Sequence, residues 1–201
     1  MVHALSSFVD EMARVFEAEG RADGAALAVV LKTLPQDLWL QGSDCGADSA
    51  IRDLLGTSAM PVAQAALEAH DVLGWAPETY ASRTPDLAAL SPYVVADLLG
   101  PEQAFRCDHL RAGLYYQKPN TRYGLHSHAA EETYVIIAGA ATWTAGERQR
   151  LLLPGDYVHH TTYLPHACET GPEGVVALWR WSGEIGKESY RVHDGQGAFA
   201  A

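Results

Sequence analysis

TRYGLHSHAAEETYVIIAGAATW, residues 121–143, sets His126 and His128 one residue apart, places Glu132 after three more residues and Gly139 after a further six. In an extended chain successive side chains alternate between faces, so His126 and His128 point the same way. Glu132 and Tyr134 share a face by the same rule if a strand begins near Glu132. Two imidazoles and a carboxylate can then converge on one point with a phenol beside them. A second stretch, PGDYVHHTTYLPHACET (154–170), offers a turn at Pro154-Gly155-Asp156 and, eleven residues after Gly155, His166. A metal ion needs ligands from more than one strand, and a hairpin away is a natural place for the last one. Three imidazoles and a carboxylate suit zinc, iron, nickel, cobalt or manganese, and ligand softness alone does not choose among them.

Around these stretches the chain reads as short strands. Segments 110–117, 133–137, 140–144, 149–153, 175–182 and 189–192 are rich in β-branched, aromatic and leucine residues and are punctuated by Gly, Pro, Asn and Asp. Ala145-Gly146-Glu147-Arg148 reads as a hairpin connection. Upstream, Leu5, Phe8, Val9, Met12, Val15 and Phe16 recur at helical spacing on one face. A second helix is expected over 25–32, ending before Pro35. A third is expected from Pro61 to Gly74. Thr84-Pro85 reads as a helix start, and Gly100 as the residue that closes a helical segment ending in 94–99. The expected architecture is mainly β: a helical N-terminal region, residues 1–104, followed by a barrel or sandwich over 105–201.

Composition limits the function. About half of the 201 residues are apolar, so a packed core is expected. Fourteen basic residues against twenty-five acidic ones leave a net charge of −11, without the basic footprint that nucleic acid or an anionic membrane would require. Cys45, Cys107 and Cys168 are odd in number and form no Cys-x-x-Cys pair, which fits a reducing compartment. Asp10 and Glu11 interrupt any apolar signal region, and no stretch approaches the ~20 apolar residues of a membrane span. A cytoplasmic location is expected. Apolar strand faces suit a homodimer.

The two histidine-bearing stretches resemble the paired motifs of the cupin superfamily, Gly-x5-His-x-His-x3,4-Glu-x6-Gly and Gly-x5-Pro-x-Gly-x2-His-x3-Asn. His126, His128, Glu132, Gly139, Gly155 and His166 match. Asn120 stands where the first motif has its leading glycine, and Thr161, Tyr163 and Thr170 replace the internal Pro, Gly and Asn of the second. The resemblance implies a double-stranded β-helix (jelly-roll) barrel with one divalent transition metal ion held by His126, His128, Glu132 and His166, iron or zinc first and nickel, cobalt or manganese as alternatives. Within the superfamily, Tyr123-x2-His126-x-His128-x3-Glu132-x-Tyr134 behind a helical half is similar to the dimethylsulfoniopropionate (DMSP) lyases of the DddQ type. That likeness implies cleavage of a small zwitterion, DMSP, to dimethyl sulfide and acrylate, with a metal and a tyrosine base.

The chemistry is consistent with this. Elimination removes the proton next to the substrate carboxylate while the sulfonium, already a good leaving group, departs without an acid. The base must be strong, and a phenol has an ordinary pKa of ~10. Positive charge nearby would favour the phenolate. Tyr134 and Tyr123 are the candidates, their roles exchangeable. Tyr123, next to Gly124, is expected on a loop. A sulfonium is best held by aromatic faces, and Trp179 and Trp181 share parity on a late strand. Each residue also has a plainer reading: strand tyrosines and tryptophans are commonly packed with a satisfied polar tip. Cys168 reads as a small buried hydrophobe, and of His159 and His160 at most one faces inward, so both stay outside the metal set. Two rival functions remain open: another metal-dependent cupin enzyme (a dioxygenase or isomerase), and a non-enzymatic binder of small carboxylates.

Overall fold

A computed structural model describes residues 2–35, 45–77 and 92–193. Four helices precede most of the sheet: α1 (Val2–Glu17), α2 (Ala22–Lys32), α3 (Asp48–Gly56) and α4 (Pro61–Ala69), the last running into a short 3-10 turn at His70–Val72. Helix α1 presents Leu5, Phe8, Val9, Met12 and Phe16 to the core, as its spacing predicts. Pro61 opens α4 in the first turn, where its missing N–H costs nothing. Helix α3 is not anticipated by the sequence reading: it is short, and only Ile51, Leu54 and Leu55 mark its buried face.

The strands are β1 (Ala76–Pro77), β2 (Tyr93–Gly100), β3 (Phe105–Arg106), β4 (Arg111–Gln117), β5 (Arg122–Ser127), β6 (Glu131–Ala145), β7 (Arg148–Leu152), β8 (Tyr157–His160), β9 (His166–Ser182) and β10 (Arg191–Val192). Two long bent strands organise them. The early half of β6 pairs with β8 and the late half of β9, which in turn pairs with β4 and, through it, β2. The late half of β6 pairs with β7 and the early half of β9, which pairs with β5 and, through it, β10. The two halves face each other across the bends as a jelly-roll barrel.

The bend in β6 explains Gly139. Its φ is +71°, and a Cβ there would stand 2.3 Å from the Gly174 carbonyl oxygen, so the strands can close only on glycine. The segments 133–137 and 140–144, expected as separate strands, are one strand carrying register shifts on both sides of this corner. Gly146 turns the β6–β7 hairpin at φ +60°. At the two places where the cupin motifs have glycine and this chain does not, the backbone still adopts the left-handed conformation: Asn120 has φ +52° and Tyr163 has φ +58°. Asn visits this region readily, whereas Tyr163 holds it at a cost of order 1–3 kcal/mol. The motif's loop geometry therefore survives the substitutions.

Residues 94–99, expected to be helical, form strand β2, and Gly100 is its last residue rather than a helix stop. The cause is burial on both faces. Val94, Ala96 and Leu98 pack against the helices, and Tyr93 and Val95 face the barrel interior. A short apolar run buried on both sides has no period to separate strand from helix. The Thr84-Pro85 reading lies outside the described residues. The same alternation runs through β9: Val176, Leu178 and Arg180 face the helical layer, and Ala177, Trp179 and Trp181 face the interior. The layer is fastened by a buried ion pair, Arg180 Nε to Glu19 Oε2 at 2.7 Å, and by Ser182 donating to Asp23 at 3.0 Å. No described helix is long and apolar enough to cross a membrane, and the three cysteines are free.

Candidate metal centre

His126 lies in β5 directly opposite His166 at the start of β9, and His128 follows just beyond the strand end. Glu132, the second residue of β6, pairs beside Trp181 of β9 and His160 of β8. All five side chains named in this cluster, from His126 to His166 with His160 and Glu132, are buried. Among the predicted ligands, the ring centroids of His126 and His166 stand 4.1 Å apart and those of His128 and His166 5.0 Å.

The hydrogen bonds fix which nitrogen of each ring faces inward. His126 Nδ1 lies 2.8 Å from the Gly124 carbonyl oxygen, His128 Nδ1 3.0 Å from that of Ala130, and His166 Nδ1 2.8 Å from that of Leu164. A carbonyl only accepts, so each Nδ1 carries a proton, and it is the Nε2 of each neutral ring that offers a lone pair to a ligand. Potential ligand atoms of His126, His128 and His166 lie within 4.8 Å of one another. Glu132 Oε2 stands 3.4 Å from His128 Nε2 and 3.1 Å from His166 Nε2. Both of those nitrogens are buried without a hydrogen-bond partner. Lone pairs facing each other at this separation repel, and a cation between them removes the repulsion. Ligands each ~2.0–2.2 Å from a metal stand roughly 3–3.5 Å apart, so the donor set fits a divalent transition ion. Burial taken alone would push Glu132 up, but the imidazoles of His128, His160 and His166 grouped around it hold it well below the usual carboxylate range. Burial drives His126 well below the usual histidine range, which suits a neutral ligand. The four predicted ligands are brought together.

Tyr134 and Tyr123 both line the cavity above these ligands. Tyr123, expected on a loop, is in strand β5 opposite Cys168, because β5 continues past Gly124 through a register shift. Its ring stacks on His126 at 4.2 Å, and its hydroxyl is 2.7 Å from that of Tyr190. Tyr134 packs on Trp143 at 4.6 Å and edge-on to Tyr115 at 5.5 Å. Burial pushes both phenols well above their ordinary value, reinforced at Tyr134 by the Glu132 charge and at Tyr123 by Tyr190. Without a compensating positive charge, both stay protonated.

Trp179 and Trp181 also reach the cavity, with different tasks for their polar edges. Trp179 donates to the Leu114 carbonyl at 3.2 Å, whereas Trp181 donates to Glu132 Oε1 at 2.6 Å and lies against the His128 ring at 4.3 Å. His160, left outside the metal set in the sequence reading, faces the ligands, with Nδ1 3.0 Å from Glu132 Oε2. His159 points the other way, to Thr133 and Glu131. Burial pushes His160 down to about 3, so its ring is neutral. Cys168 is buried, as expected, and burial raises its thiol.

Sequence reasoning missed Tyr93, Tyr115, Lys187 and Tyr190, all of which line the cavity. Tyr115 could have been found from its parity in the expected strand. Tyr93 was hidden by the helical reading of its neighbours. Lys187 and Tyr190 lie where the chain crosses the barrel mouth through a 3-10 turn (Lys187–Ser189) into β10, a placement for which no local pattern exists.

Residues 15–177 match the family model for dimethylsulfoniopropionate lyase. The DMSP lyase DddQ of Ruegeria pomeroyi is 32% identical over 134 residues, which span 66% of this chain and 66% of that protein. The crystal structure of DddQ from Ruegeria pomeroyi DSS-3 superposes with a TM-score of 0.62 at 25% identity, covering 94% of this chain and 99% of that one. A chain from the crystal structures of the DMSP lyases RdDddP and RnDddQII superposes with a TM-score of 0.73 at 22% identity, covering 94% and 97%, and shares the fold. With more than half its length inside the family model and the predicted ligand residues of both motifs close together in the barrel, the chain belongs to the dimethylsulfoniopropionate lyase family, a family of carbon–sulfur lyases.

Proposed function

We propose that the protein is a metal-dependent lyase that cleaves DMSP to dimethyl sulfide and acrylate, with Tyr134 as the base and Tyr123 beside it. The observation that carries this reading is a cavity with His126, His128 and Glu132 at its floor, His166 grouped with them, and phenol and indole rings as its walls. When bound by His126, His128, Glu132 and His166, a divalent cation supplies positive charge that favours a neighbouring phenolate and attracts a carboxylate. Tyr134 sits on the same strand face as Glu132, two residues on, so its oxygen meets a substrate held at that floor. As phenolate it takes the proton from the carbon next to the substrate carboxylate. That electron pair becomes the carbon–carbon double bond of acrylate, the carbon–sulfur bond breaks, and sulfur leaves with its electrons as neutral dimethyl sulfide. Tyr93, Tyr115 and Trp179 offer ring faces to the sulfonium, which such faces attract by roughly 0.5–2 kcal/mol each. Burial of these groups excludes the water that would otherwise solvate the base.

The test is dimethyl sulfide release from DMSP by metal-loaded protein and by the Tyr134→Phe and Tyr123→Phe variants, each with metal content measured. Loss of the true base should slow elimination by ~10²-fold or more while fold and metal content persist. If both metal-replete variants turn over like the parent, the tyrosine-base mechanism is wrong. If the parent releases no dimethyl sulfide, the substrate is wrong, and oxygen uptake on turnover would then favour a cupin dioxygenase.

A further inference from the structure

A buried hydrogen-bonded line runs into the ligand set from the far side of the barrel. Trp143, late in β6, donates its indole N–H to His160 Nε2 at 3.0 Å. His160, in β8, has its other nitrogen, Nδ1, 3.0 Å from Glu132 Oε2. The indole can only donate, so Nε2 must accept, and the proton of the neutral ring sits on Nδ1, where it is given to the carboxylate. Both ring nitrogens are thereby engaged, and neither offers a lone pair to an ion. The ring has no freedom to turn: it is fully buried, stacks on His166 at 3.8 Å and 15°, and has Tyr134 on another side at 6.1 Å. Glu132 Oε1 is held independently by Trp181 at 2.6 Å. What remains on Oε2 is directed at His128 and His166. The line exists because β6 bends at Gly139, bringing Trp143 back over the cavity that Glu132 enters from the same strand.

We infer that His160 is a positioning residue, not a ligand: it aims the Glu132 carboxylate at the metal, and Trp143 sets its tautomer. The inference rests on the metal reading of the site. The rival assignment is that His160 is itself a ligand, since Glu132, His160 and His166 also form a group that could hold an ion. The two differ in what an amide can replace. Asn places an N–H where His carries Nδ1–H, so His160→Asn keeps the donation to Glu132 and cannot supply an imidazole ligand.

The experiment is titration of the metal-free full-length protein with Co(II), reading the visible spectrum for coordination and a chelator competition for affinity. The parent, His160→Ala, His160→Asn and Trp143→Phe are compared, with melting temperature as the check on folding. Loss of an outer-shell partner should weaken binding by roughly 10–100-fold in His160→Ala with the Co(II) bands unmoved, and His160→Asn should return to within about threefold of the parent. Trp143→Phe should fall between them, since the ring remains but its tautomer is released. Parent affinity in His160→Ala, or a shifted Co(II) spectrum shared by His160→Ala and His160→Asn, overturns the inference while leaving a metal site standing. A parent protein that takes up neither Co(II) nor Zn(II) overturns the metal reading itself, and the inference with it.

Discussion

Replacing Trp181 by Phe separates two roles that the same residue could play. The indole N–H reaches Glu132 Oε1 at 2.6 Å, and the ring lies against His128. Phe keeps most of the ring over His128 and removes only the donor. A hydrogen bond to a charged group contributes about 1.5–3 kcal/mol, and every ~1.4 kcal/mol is tenfold in an equilibrium constant. If that energy serves to hold the carboxylate ready for the ion, metal affinity falls by roughly 10–100-fold, as for other outer-shell partners. The apparent affinity of the metal-saturated enzyme for DMSP should change little. Chelator competition with Zn(II) measures the first quantity and initial rates of dimethyl sulfide release the second. Trp179→Phe is the control, because its N–H goes to the Leu114 carbonyl and not to a ligand, so its metal affinity should match the parent. The reasoning is refuted if Trp181→Phe binds metal like the parent while its KM for DMSP rises, which would make Trp181 a face for the sulfonium instead.

Three other outcomes are expected. His166→Ala and Glu132→Ala should lose their metal on dialysis, because the remaining donors cannot rebuild the coordination, and full occupancy by elemental analysis would remove either residue from the ligand set. Glu19→Ala leaves the buried Arg180 guanidinium without its carboxylate, a change that typically costs 3–5 kcal/mol and, at ~2–4 °C per kcal/mol for a chain of this size, should lower the melting temperature by roughly 6–20 °C; a drop below about 2 °C would show the pair contributes nothing. Asp97 is raised by burial, against the opposing charges of Lys187 and Arg111. An acid raised in the fold favours the folded state below its ordinary range and loses that advantage as pH rises through its folded value. Asp97→Asn should therefore melt above the parent near neutral pH and coincide with it in strong acid, and equal melting curves throughout would refute the assignment.

Much of the candidate ligand set is readable along the chain because its spacing is local. His126, His128 and Glu132 lie within seven residues, and the strand period alone puts their side chains on common faces. Tyr134, two residues past Glu132, is legible for the same reason, as are the helical face of α1 and the hairpin at Gly146. The motifs supply His166 through a fixed distance from Gly155. What the chain does not display is anything that depends on which strands become neighbours. Strand β2 looks like a helix because the helical layer and the barrel interior bury both of its faces, and that layer is recruited by Arg180, some eighty residues later. Tyr190 reaches Tyr123, and Lys187 the cavity, only because the chain recrosses the mouth to pair with β5. His160 is the clearest case. Parity allows at most one of two adjacent histidines to face inward, but that His160 does so as a donor rather than a ligand is set by Trp143, seventeen residues earlier and returned to the site by the bend at Gly139. Local spacing determines which side chains share a face; the tertiary fold alone determines which nitrogen of an imidazole carries the proton, because the partner that claims the other nitrogen comes from a different strand.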